Sequence, residues 1–145
     1  MPRNLIIPDR FCYEKQPIAT LTQPALLVQG TYYTVLDVRV PMRVIYLSMK
    51  HDNAANSAKT INMRVTIDGV VMTCAADATG TDNTAYYFYA DPTADALLST
   101  TTVYNAGYYE DLRGNSLKVE IVMTAAPAAD DILYGYVQYE IYRRG

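Results

Sequence analysis

A 145-residue chain with half its residues hydrophobic and a formal charge of −3 has the length for one domain with a sizeable core, and it is too apolar to be disordered throughout. With no basic run longer than Arg143-Arg144, it offers no electrostatic reason to bind nucleic acid. No apolar stretch approaches the roughly 20 residues that span a bilayer. Leu5-Ile6-Ile7, followed at once by Pro8-Asp9-Arg10, is too short for a signal-peptide core, so synthesis in the cytoplasm without export is expected.

Residues 1–29 hold Pro2, Pro8, Pro17 and Pro24, four of the seven prolines, and little period-2 alternation. Proline fixes φ and lacks an amide donor, which predicts an extended arm ahead of a folded domain at 30–145. The arm carries Leu5, Ile6, Ile7, Phe11 and Tyr13, which must be buried either along its own sheet or against a neighbouring subunit.

From Gly30 onward the pattern is β. Strands are predicted over 32–40, 43–51, 60–67, 70–75, 85–90, 100–104, 116–124 and 132–143. Ile61, Met63, Val65 and Ile67 alternate with Thr60, Asn62, Arg64 and Thr66, giving one dry and one wet face. Leu117, Val119, Ile121 and Met123 alternate with Lys118 and Glu120, and Leu133, Val137, Tyr139 and Ile141 with Tyr134, Tyr136, Gln138, Glu140 and Tyr142. Asp68-Gly69 supplies the positive φ angles of a type I′ hairpin. The other glycines read one per turn, and Pro92 to Leu98 allows a single helical turn. Eight short strands with regular turns predict an all-β, antiparallel β-sandwich, jelly-roll-like, with an extended N-terminal arm.

Candidate chemistry is sparse. His51, the one histidine, falls at a strand end and reads as a loop-facing surface residue, with no GxSxG elbow to make it catalytic. One histidine and two scattered cysteines do not form a zinc set. The stretch 77–83 is oxygen-rich but lacks calcium-loop spacing, and reads as a solvated turn. There is no P-loop and no GxGxxG, so no cofactor and no enzyme activity are expected. Cys12 and Cys74 read as free thiols, with a disulfide from arm to sheet as the alternative.

Tyrosine is the compositional outlier, with 14 Tyr against 2 Phe and no Trp. It joins a large contact area to a hydroxyl that can stay wet, which suits surfaces that meet a protein or a sugar, although it is also a good strand residue. Candidate interface residues are therefore Tyr86, Tyr87 and Tyr89, then Tyr104, Tyr108 and Tyr109, then Tyr134, Tyr136 and Tyr142, together with the arm residues Leu5, Ile6, Ile7, Phe11 and Tyr13.

The segments TYYTVLDV and RVTIDGVV, with matching residues Tyr32 to Val38 and Arg64 to Val71, resemble a module of small β-sandwich virion proteins of tailed bacteriophages. Where members have a Gly-rich turn after the first strand, this chain has Val40-Pro41-Met42. The resemblance implies a non-enzymatic virion protein, and the arm makes it look like a head decoration (cement) protein bound to a major capsid protein. The alternative is a tail or fibre module that recognises cell-surface glycans. Unsatisfied aromatic surface predicts a homo-oligomer, with a trimer as the expected closed form.

Overall fold

The computed structural model describes residues 11–15, 19–23, 27–55, 57–80, 83–101 and 112–144, the backbone alone for 11–15, 19–23 and 142–144. The strands are β1 (Phe11–Lys15), β2 (Ala19–Gln23), β3 (Tyr33–Val38), β4 (Met42–Asp52), β5 (Lys59–Ile67), β6 (Val70–Thr73), β7 (Ala78–Gly80), β8 (Tyr86–Ala90), β9 (Leu97–Thr100), β10 (Arg113–Gly114), β11 (Leu117–Met123) and β12 (Ile132–Arg144). The described residues contain no helix.

The strands form two antiparallel sheets. Sheet one runs β1–β12–β4–β8–β9, with β2 also on β12 and β10 on β4; sheet two runs β3–β11–β5–β6, with β7 on β5. The late strands β11 and β12 are inserted between early ones, and the chain crosses repeatedly between sheets. That is the strand order of a jelly roll. Residues of the N-terminal segment pair with the last strand of their own chain: Phe11 to Lys15 lie opposite Arg144 to Glu140, and Ala19 to Gln23 opposite Val137 to Leu133. Pro17 and Pro24 fall just outside β1 and β2, and β1 and β2 are edge strands, where a missing amide is tolerated.

The dry faces predicted for β5 and β11 meet in the core. Ile61, Met63, Val65, Leu117, Val119, Ile121 and Met123 are fully buried, as are Leu133 and Val137 of β12 and Phe88 of β8. Tyr139 and Ile141 pack against the same cluster. Asp68 (φ 49°) and Gly69 (φ 85°) form the predicted turn. Asp68 also accepts hydrogen bonds from the Asn115 and Ser116 amides at 2.8 and 3.0 Å, so one carboxylate ties the β5–β6 hairpin to the entry of β11.

Several expectations are corrected. Asn62 and Glu120 lie on the wet face yet are buried. Asn62 bonds to the Cys74 carbonyl and the Asp77 carboxylate, and Glu120 takes a two-pronged bond from Arg64, whose guanidinium lies 3.6 Å from the Tyr32 ring centroid. Polar groups can be buried when they are paired in this way. Ala78–Gly80, read as part of a solvated turn, forms β7 against Lys59–Ile61. The region 92–98 has no helical turn; Leu97 and Leu98 open β9, which ends at Thr100, so the strand expected from 100 begins three residues earlier. Gly135 sits inside β12 and not in a turn, and a Cβ there would meet Val35 Cγ2 at 2.6 Å. A bulge opposite Gln138/Tyr139 passes over Ile45 in β4, so Met42 and Val44 point inward before it and Leu47, Met49 and His51 after it.

Cys74 is a free, buried thiol, which removes the arm-to-sheet disulfide. Burial pushes its pKa up to about 11, a Ser99 hydrogen bond opposes this, and Asp77 adds to it. In a Cys12→Ser background, Cys74 should therefore react with a thiol reagent at pH 8 far more slowly than after unfolding in denaturant. Equal rates would contradict this packing.

Candidate functional site

The outer face of sheet one gathers tyrosines from three strands. Register places Tyr136 of β12, Ser48 of β4, Tyr87 of β8 and Thr100 of β9 in one cross-strand row. Ser48 is only 1 % exposed although it faces outward, so it forms the floor between its larger neighbours. Its hydroxyl donates to Tyr46 Oη at 3.0 Å, and the Tyr46 and Tyr87 rings are 5.7 Å apart at 56°, a tilted aromatic contact. Burial pushes the Tyr87 hydroxyl pKa up, and Tyr46 adds to it. Lys50 Nζ stands 4.8 Å from the Tyr134 ring centroid and donates to Asn83 Oδ1 at 2.8 Å. At the other end of the face Arg43 donates to Glu140 at 2.9 Å. The result is an aromatic strip bounded by charge.

The candidate residues separate accordingly. Tyr87, Tyr134 and Tyr136 lie on this face, half-buried. Tyr86 shares the inward side with Phe88, and its hydroxyl donates to the Thr79 carbonyl. Tyr89 is half-buried and packs partly against the core. Tyr142 is placed on β12 by its backbone, and Phe11 and Tyr13 on β1 by theirs. Leu5, Ile6, Ile7, Tyr104, Tyr108 and Tyr109 lie outside the described residues. Tyr46 and Ser48 were missed because the Ile45 bulge breaks the alternation that would have placed them.

A second cluster closes the end of the sandwich where β4 and β12 meet. His51, read as a surface residue, is fully buried, as is Asp131; Asn53 is nearly so. His51 Nε2 lies 3.3 Å from Asp131 Oδ1, and Asn53 Nδ2 donates to the same oxygen at 2.7 Å. The Ala128 amide donates to Asp131 Oδ2 at 2.6 Å, and Lys59 Nζ stands 3.6 Å from it. Burial raises the Asp131 pKa, but the bonds from Asn53 and Ala128 and the neighbouring Lys59 and His51 outweigh it and hold the carboxyl below the usual range. His51 Nδ1 has no hydrogen-bond partner. With the proton on Nε2, donated to Asp131, Nδ1 is a bare acceptor, the less costly of the two ways to leave it unpaired. No substrate reaches a fully buried imidazole, so the arrangement fastens loops together. Among the described residues no three His, Cys, Asp or Glu side chains gather in a way that could hold a metal. No helix among them is long and apolar enough to cross a membrane.

No protein-family model matches the chain, and no curated protein matches it either. Among solved structures it is similar to a chain of infectious bursal disease virus, Gt strain, at 13% identity and TM-score 0.42, over 94% of this chain and 33% of that one. It overlaps a chain of the Gx strain at 13% identity and TM-score 0.40, over 92% of this chain and 32% of that one. The chain thus spans about a third of the length of those it overlaps.

Proposed function

We propose that this protein is a non-enzymatic structural component of a virus particle, a decoration subunit that stabilises a capsid through its N-terminal arm and its tyrosine face. The observation that carries the reading is the aromatic strip of Tyr46, Tyr87, Tyr134 and Tyr136, held rigid on a sheet and rimmed by Lys50 and the Arg43–Glu140 pair. Rigid tyrosines lose little side-chain freedom on contact, and a polar rim around an apolar centre is the anatomy of a protein interface. The buried state of His51 and Asp131 supports a role without chemistry. The phage-module segments also fit: Tyr32 and Arg64 stack on the outside of sheet two, and Asp68-Gly69 makes the hairpin turn.

The test is co-sedimentation of the purified chain with particles of its own virus assembled without it. Saturable attachment is expected, lost when Tyr87, Tyr134 and Tyr136 are replaced by Asp. Failure of the wild-type chain to attach would reject the decoration role. Saturable binding to a glycan array, lost on Tyr87→Ala, would transfer the strip to receptor recognition.

A further inference from the structure

Resting on the reading of this chain as an assembling subunit, we propose that residues 1–10 of one copy dock in a groove between β6 and the β8–β9 loop of a second copy, joining copies head to tail. A hollow of about 440 Å³ opens where the edge of sheet two faces the edge of sheet one, with Met72 and Ala90 lining it and Asp91 and Asp95 contributed by the β8–β9 loop. The two sheets meet beside it through the parallel bridge between Cys74 and Leu97. Val70, two residues before Met72 and so on the same side of β6, is 45% exposed. β6 pairs with β5 alone along Val70–Thr73 and contains no charged residue. Edge strands are ordinarily guarded by charge, proline or a covering segment, as Asp37 guards β3 at the opposite edge of this sheet. An unguarded apolar edge beside an acidic rim suits an extended segment with apolar residues at its centre and basic residues at its ends.

Residues 1–10, Met-Pro-Arg-Asn-Leu-Ile-Ile-Pro-Asp-Arg, have that composition: Leu5-Ile6-Ile7 lie between Arg3 and Arg10, and Pro2 and Pro8 favour an extended backbone. The apolar triplet matches Val70 and Met72, and the arginines match Asp91 and Asp95. Topology selects the second copy. Successive registers put the β8–β9 loop and the start of β1 at the same end of sheet one, but on opposite edges. Four strand spacings separate β1 from β9, roughly 19 Å at ~4.8 Å each. At ~3.3 Å per residue, crossing that end within one copy would consume about six of the ten residues, Arg10 back to Leu5, and so spend the Leu5–Ile7 triplet before it reached the apolar floor. Side by side, the β1 edge of one copy adjoins the groove of the next. Such a heterologous contact closes into a ring when its rotation permits, and a trimer is the smallest ring of this kind.

The full-length chain at micromolar concentration, measured by light scattering with circular dichroism as the check on folding, decides it. The wild type should be oligomeric. Val70→Glu should weaken association about tenfold or more, and Arg3→Glu and Asp95→Arg each severalfold, with the double charge reversal recovering most of the loss. An oligomer indifferent to all three changes overturns the groove. If removing residues 1–10 still dissociates that oligomer, the arm's role in assembly stands with another seat. A monomeric wild type overturns the inference, and the particle co-sedimentation experiment then judges the decoration role separately.

Discussion

Asp131→Ala is expected to lower stability by about 3–5 kcal/mol, the range for removing one partner from a buried charged network. The change strands the Ala128 N–H and removes the carboxylate oxygen that His51 Nε2 and the Asn53 amide share, leaving that amide on Ser57 and beside His51 Nε2. In a chain of this size that corresponds to a fall in Tm on the order of 10 °C. Asp131→Asn keeps the shape and one acceptor, and should cost clearly less. The same carboxyl sets a pH dependence. Its folded pKa is lowered, so its contribution is complete above the unfolded value of roughly 3.9 and is lost as pH falls through the folded value. Denaturant titrations at pH 7 and in the range below about 4 should show wild type losing stability that Asp131→Asn does not lose. Parallel pH curves for the two would contradict this role for the Asp131 carboxylate.

Gly135→Ala is expected to destabilise by about 1–3 kcal/mol, against the usual gain when glycine is replaced within a strand. The added methyl would meet Val35 Cγ2 at 2.6 Å and Ile121 Cδ1 and Cγ2 at 3.1 and 3.2 Å. Both neighbours are β-branched and stiff, and belong to the facing sheet, so relief requires the sheets to separate. Trimming Val35 to Ala in the same chain should recover much of the loss, seen as a coupling energy in a double-mutant cycle of chemical denaturation midpoints. Additive effects would show that the sheets are not in contact at this point.

These two sites also mark the boundary of what the sequence makes legible. Alternation in β5 and β11 identified the core faces because the two strands pair with each other without a register break, and Asp68-Gly69 announced its turn through residues suited to positive φ. His51 could not be read the same way. Its partners Asn53 and Asp131 come from the ends of β4 and β12, and only the pairing of those strands brings them together. The tyrosine strip was half legible for a similar reason: β12 alternates without interruption, so Tyr134 and Tyr136 share a face, whereas the bulge at Ile45 shifts β4 by one position and hides Tyr46 and Ser48. Gly135 looked like another turn residue because nothing local says that a facing sheet presses on it. The jelly-roll order itself rests on long-range pairings, β12 with β4 and β11 with β5, that no short window contains.

The proposed decoration role is tested most directly by electron cryomicroscopy of purified virus particles from the source of this sequence. Two-sheet density of this shape is expected to repeat over the capsid shell, with the tyrosine face against the shell and the N-terminal residues reaching a neighbouring copy. A bare shell, with the chain absent from the particle or confined to the tip of a tail, would contradict it.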